Sequence, residues 1–208
     1  MRKNIIYSLL LVVAALFAGC ESRLDIEKHG NMGDQNDFYQ TDEQTEQAVA
    51  SMYSSLKGLY YNWFFTKNLL SDDVWCGGGQ RGDNTSLEQL NEYTYGTDNG
   101  MIQGVFSGLY GLIYQSNLVI EKVADDTPAK KRAIAEAKFF RAWANFELVT
   151  LWGTAPLVDH LLEPGEYRQG NSTPEALWAA VESDLKEAIG MNALPSKKNK
   201  DDQETGMR

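Results

Sequence analysis

Between Leu70 and Asn84 the sequence reads LSDDVWCGGGQRGDN, which sets an indole among carboxylates, a guanidinium and a carboxamide around three consecutive glycines. Sugar rings present C–H faces that pack on flat aromatics, and hydroxyls that pair with carboxylate, amide and guanidinium groups. Trp75 is the expected stacking platform, with Asp73, Arg81 and Asn84 as hydrogen-bonding partners. An indole flanked by charge suits a wet, concave rim better than a dry core. The nearby Tyr60, Tyr61 and Trp63 are read as lying in irregular chain beside it, with Trp63, Phe64 and Phe65 filling core beneath the loop.

Other chemistry in the same stretch does not hold up. Gly77 to Gly82 spell G-x-G-x-x-G, but that string binds a dinucleotide only between a strand and a helix of a βαβ unit. Neither flank qualifies, and Asp83-Asn84 stand where a phosphate loop carries lysine and a hydroxyl. The bland reading is a mobile turn. Arg81-Gly82-Asp83 is an integrin tripeptide by chance. A glycosidase needs two carboxylates roughly 5 to 10 Å apart across a cleft, whereas adjacent Asp72 and Asp73 point apart. His29 and His160 are isolated, so no metal site and no cofactor is expected. No catalytic residue is expected either.

The elements that must position these groups are helical. Thr41-Asp42-Glu43-Gln44 has the form of a capping box. Ala48, Met52, Leu56 and Leu59 follow at helical spacing, predicting a helix over 42–57 that ends near Gly58. Residues 59 to 96 read as irregular. A second helix starts near Asn99, with Val105, Leu109, Leu112, Ile113, Asn117 and Ile120 on one stripe. Thr127-Pro128 opens a third, which Gly153 and Pro156 end. Thr173-Pro174-Glu175 opens a fourth, with Leu177, Val181, Leu185 and Ala188 as its stripe. No segment shows sustained β alternation, so the fold class is all-α, and the short turn from Ala124 to Pro128 makes its flanking helices an antiparallel pair.

The third helix is crowded. AKFFRAWANFELVTLW, Ala137 to Trp152, carries bulk on nearly every side, so neighbours must cover it on at least two. Arg141 in its middle is expected to be at least half buried and bonded to a carboxylate of another helix. Asp184 is the first choice, because it stands on the fourth helix's stripe where an apolar residue belongs. Asn117 reads as a buried amide bonded to a neighbouring helix.

The N-terminus is a separate matter. Arg2 and Lys3 precede an apolar run from Ile5 to Ala18, shorter than the roughly 20 residues of a spanning helix. A basic head, a short apolar middle and Ala18-Gly19 describe a secretory signal over 1–19. Cys20 follows directly, and Leu16-Phe17-Ala18-Gly19-Cys20 resembles the lipobox of bacterial lipoproteins, in which the cysteine is acylated. Residues 20–40 are then a polar tether, 41–195 the helical domain and 196–208 a charged linker at which the chain looks truncated. The chain carries 19 Lys+Arg and 29 Asp+Glu. Without the first nineteen residues 17 cations face 29 anions, −12, a surface that repels nucleic-acid phosphates. With Cys20 acylated, Cys76 is the sole thiol left and packing alone must supply stability.

These residues also carry a resemblance. EAKFFRAWANFELVTLWGTAPLV resembles the most recognisable segment of the SusD/RagB family, through Glu136-Ala137, Arg141-Ala142, Trp143, Phe146, Trp152-Gly153 and Pro156. LYGLIYQSNLVIEKV, STPEALWAAVESDLKEAI, DFYQTDEQTEQAV and the lipobox resemble that family's other segments in order. The resemblance implies TPR-like helix pairs with long irregular ligand-binding loops. It further implies a non-enzymatic lipoprotein of the cell outer membrane, which binds glycans or other nutrients and passes them to a TonB-dependent transporter. The rival readings are a helical scaffold that binds protein partners and an exported glycan-processing enzyme.

Overall fold

The computed structural model describes residues 38–194. They fall within the second of the chain's two units, Asn36–Arg208; the first, Met1–Gln35, lies outside them, and with it the signal and Cys20. The linker 196–208 also lies outside the described residues.

Helix α1 spans Asp42–Leu69, α2 Thr85–Asn91, α3 Gly100–Lys122, α4 Pro128–Trp152 and α5 Pro174–Gly190, with a 3-10 turn at Pro164–Glu166. No strand occurs among the described residues; one isolated bridge joins Ala155 to Ser172. The fold is therefore all-α, as the patterning requires. The expected starts are made by real caps. Thr41 and Gln44 form the capping box of α1, Asn99 accepts from Met101 and Ile102 at the head of α3, and Thr127 and Thr173 cap the proline-led α4 and α5. Gly153, at φ 74, closes α4 in the left-handed region that a side chain would resist.

The helix directions follow from which residues meet. Met52 meets Ser116, while Gly108 and Gly104 of α3 lie against Leu59 and Asn62 of α1, so these two helices are antiparallel. A Cβ on Gly108 would come within 2.8 Å of Leu59 Cδ1, so glycine sets the depth of that approach. Asn117 meets Arg141 and Phe106 meets Trp152, which makes α3 and α4 antiparallel. Lys138 with Glu187, and Phe146 with Trp178, give the same relation for α4 and α5. Helix α4 runs parallel to α1, through Tyr53 with Phe140, Trp63 with Trp143, and Lys67 with Glu147. These are the helix pairs of a TPR-like layer.

Three neighbours thus pack against α4, which explains its bulk. Phe140, Ala144 and Leu148 are at most 2% exposed. Burying each large apolar side chain contributes about 1.5–3 kcal/mol. The opposite stripe is less covered than its size suggests: Phe139 and Phe146 remain 47% and 37% exposed.

A polar node fastens this core. Arg141 donates from Nε to Asp184 Oδ2 at 2.8 Å and from Nη2 to Asp184 Oδ1 at 2.7 Å. Its Nη1 donates to Asn117 Oδ1 at 2.8 Å and to the Asp159 carbonyl at 2.6 Å. Asn117 in turn donates to the carbonyls of Val158 and His160. The expected partner of Arg141 is the observed one. One node joins α3, α4, α5 and the connector after α4.

The first helix departs from expectation. It continues eleven residues past Gly58, because a lone glycine costs a helix only about 1 kcal/mol. Leu59, Trp63, Thr66 and Leu69 keep an inward face going, with Leu59, Thr66 and Leu69 buried. Tyr60, Tyr61 and Trp63 are therefore helical residues and not part of an irregular loop. Likewise 59–96 is not wholly irregular, since α2 occupies its middle.

Candidate functional site

The loop between α1 and α2 is built on a small second core. Leu69, Leu87 and Leu90 are buried together, with Phe65, Leu70, Cys76, Met101 and Ile102 packed around them. Leu87 and Leu90, three residues apart, form the inward face that makes α2 a helix at all. Asn99 reaches back from the head of α3 to the carbonyl of Ser86 and to Gln89 Oε1, at 3.0 and 3.1 Å.

On that base the loop is pinned at several points. The Cys76 N–H donates to Asn91 Oδ1 at 2.9 Å, and the Tyr93 hydroxyl donates to the Leu70 carbonyl at 3.0 Å. The Asp83 carboxylate accepts from the N–H groups of Gly79 and Gln80 at 2.7 and 3.0 Å. Gly82 N–H donates to Glu88 Oε1 at 2.7 Å. Gly77, Gly78 and Gly82 all have positive φ, of 56, 132 and 92°, so the glycines allow a path that other residues would resist. The loop is a tied turn whose backbone depends on its glycines.

The four candidate residues have unequal freedom on it. Trp75 stands 80% exposed on the arm before the glycines, and Asp73 is exposed beside it. Such exposure for the largest side chain is a poor use of apolar surface unless something covers it. Arg81, on the arm after the glycines, is held in a fork by Glu92 at 2.6 and 2.7 Å. Asn84 spends its Oδ1 capping α2, accepting from the Leu87 N–H at 3.3 Å. Its carboxamide nitrogen keeps two donors outside that bond. Cys76 is no ready nucleophile: burial, and then Glu88 and Glu92, hold its thiol above the ordinary value.

Glu92, Glu88 and Asn91, which anchor the loop, escaped the sequence reading. The spacing of Leu87 and Leu90 behind Asn84 was the signal for a capped helix there. Nothing local marks Glu92 as the partner of Arg81.

A groove of about 350 Å³ lies between α1 and α4, lined by Leu56, Leu59, Tyr60, Trp63, Phe139, Phe140 and Trp143. Its walls are almost wholly apolar. Sugar hydroxyls entering it would lose water without gaining partners, at a cost of roughly 1–3 kcal/mol each. The loop of Trp75 offers both stacking surface and polar groups. No group of residues suited to a metal ion is present among the described residues, and none of their helices is long and apolar enough to cross a membrane.

A layer of antiparallel helix pairs with an aromatic, glycine-bearing loop defines a class, and comparison with known proteins identifies it. The family described as SusD-like, starch-binding associating with outer membrane, matches residues 26–205. The chain belongs to this SusD-like family. A SusD-like protein of Bacteroides ovatus is 32% identical over 166 residues, which cover 73% of this chain and 29% of that protein. SusD-like protein P38 of Formosa agariphila is 26% identical over 189 residues, covering 89% of this chain and 37% of its own length. A laminarin binding SusD-like protein of known structure superposes with a TM-score of 0.67 at 28% identity, over 74% of this chain and 34% of that one. Surface glycan-binding protein A from Bacteroides uniformis shares the fold, with a TM-score of 0.66 at 23% identity over 79% of this chain and 37% of that one. The chain thus spans roughly a third of the length of these relatives.

Proposed function

We propose that this protein captures a neutral glycan at the outer membrane, held there by lipid on Cys20, and passes it to a TonB-dependent transporter. The observation that carries the reading is Trp75, an indole 80% exposed on a loop pinned at both ends. A stacking platform must be exposed before the ligand arrives and must not lose much freedom when it does. Asp73 and the amide nitrogen of Asn84 supply hydrogen-bonding partners, and Arg81 adds the guanidinium donors left over by Glu92. Laminarin binding by a relative of 28% identity supports a glucan as the first ligand to try. The charge of −12 beyond residue 19 disfavours an anionic polysaccharide, as it disfavours nucleic acid.

The lipobox-like run ending at Cys20 supports the anchor. Several acyl chains give effectively permanent attachment, at about 0.8 kcal/mol per buried methylene. Tethering holds the protein at high effective concentration beside a membrane transporter, so a modest protein–protein affinity suffices. The role asked of the protein is binding and delivery, without chemistry on the sugar. Isothermal titration against laminarin and a panel of neutral and acidic polysaccharides tests the binding. Saturable binding to a neutral glycan supports the reading, and reducing sugar released during the titration overturns it. Gentle detergent extraction tests the partner: a TonB-dependent transporter should co-purify, and repeated failure with confirmed expression contradicts the handover.

A further inference from the structure

One cluster of titratable side chains plays no part in that reading. It lies in the connector between α4 and α5. The first half of this connector is fixed to the helices: Tyr110 donates to the Pro156 carbonyl at 2.7 Å, Arg141 to that of Asp159, and Asn117 to that of His160. The next stretch, from Glu163 to Gly170, is exposed and carries the turn Pro164–Glu166 followed by Tyr167, 67% exposed. Between the two halves sits the ring of His160. Its Nδ1 lies 2.7 Å from Asp159 Oδ1 and its Nε2 lies 3.2 Å from Glu166 Oε2. The same Glu166 oxygen accepts from the Glu163 N–H at 2.9 Å.

We propose that His160 is a proton-controlled latch, which ties the turn Pro164–Glu166 to the fixed half of the connector when both ring nitrogens carry protons and releases it when one proton is lost. An imidazolium donates from both nitrogens, so each carboxylate is satisfied. A neutral ring has one donor and one lone pair. The shorter contact keeps the proton on Nδ1 toward Asp159, leaving the Nε2 lone pair facing the Glu166 carboxylate. That contact turns from attractive to repulsive. Glu166 then holds only the Glu163 N–H, and the segment bearing Tyr167 and Arg168 loses its side-chain tie to the ring.

The surrounding charges favour the protonated form. The hydrogen bond to Asp159, then that to Glu166, holds the His160 pKa above its ordinary value of 6.5. The same contact lowers Asp159, while the Glu163 N–H and then His160 lower Glu166. From α3, Glu121 reaches the Leu161 N–H, adding a further anion nearby. From α4, Arg141 approaches the Asp159 carbonyl, its charge matched by Asp184 of α5. Because the folded value is raised, the latch is fully made below the ordinary imidazole value of about 6.5 and is lost as pH rises through the raised one. It is solvent-exposed, so added salt weakens it.

The test is nuclear magnetic resonance on the whole chain between pH 5 and 9, with His160 distinguished from His29 by the peak that vanishes in His160→Gln. His160 should titrate above 6.5. Over the same interval the amide protection of Glu163 and Glu166, corrected for intrinsic exchange, should fall by roughly threefold, the scale of exposed ion pairs. The Ser172 amide, bonded to the Ala155 carbonyl at 2.9 Å, should not follow. Glu166→Gln keeps an acceptor for Glu163 but removes the charge, and should move the His160 titration down toward the ordinary value. In His160→Gln the protection should no longer depend on pH. A His160 titration at or below 6.5, or the same pH dependence surviving in His160→Gln, overturns the proposal.

Discussion

Removing Asp184 should damage this protein more than any surface ion pair would. The guanidinium of Arg141 is 10% exposed and the Asp184 carboxylate 6%. In Asp184→Ala the cation stays where packing on α4 holds it, with only the Asn117 oxygen and the Asp159 carbonyl as acceptors. Two neutral acceptors do not replace a bidentate carboxylate. Stranding one member of a buried pair costs about 3–5 kcal/mol, against about 0.2–1 kcal/mol for an exposed pair. In a chain of this size that lowers Tm by roughly 6–20 °C. The assay is urea unfolding followed by far-ultraviolet circular dichroism, with a thermal scan alongside. The double variant Arg141→Met with Asp184→Leu should be more stable than Asp184→Ala alone, since it removes both charges and refills the space. The reasoning is refuted if Asp184→Ala loses less than about 1 kcal/mol, or if the double variant is the less stable of the two.

Two further outcomes are expected. Asn84→Ala should lose about 1 kcal/mol in the same unfolding assay while Asn84→Ser stays close to the parent, because the oxygen of residue 84 caps α2. Cys20→Ala should move the protein out of the outer-membrane fraction when cells are separated by density, whereas an unchanged fraction would remove the lipid from the account.

What the sequence discloses depends on how local its cause is. Four helix starts were legible because each rests on a cap within three residues: Thr41, Asn99, Thr127 and Thr173. The Arg141–Asp184 pair spans forty-three positions, yet it was legible too, since a carboxylate on an apolar stripe and a cation on a crowded helix each need a partner. The end of α1 was not. Gly58 suggested a stop after residue 57, but Leu59, Thr66 and Leu69 find burial against neighbours that lie far away in sequence, and this outweighs the cost of that glycine. At the candidate site the glycine turn and the exposed indole could be read from composition. The fork from Glu92 to Arg81 and the bond from Cys76 to Asn91 could not, because both need α2 in place first. Asn84 was read only as a hydrogen-bonding candidate, and its place as the cap of α2 shows once Leu87 and Leu90 are buried behind it.

The central claim is that an exposed indole on the α1–α2 loop is the stacking surface for a glycan. The direct measurement is isothermal titration of laminarin, and of other neutral glycans that bind, into the protein and its Trp75→Ala variant, with both melted side by side. At 80% exposure Trp75 holds little core together, so the two proteins should melt alike. The variant should bind roughly tenfold more weakly, since a lost stack costs on the order of 1 kcal/mol or somewhat more. Equal affinity at equal stability would contradict it and move the glycan away from this loop.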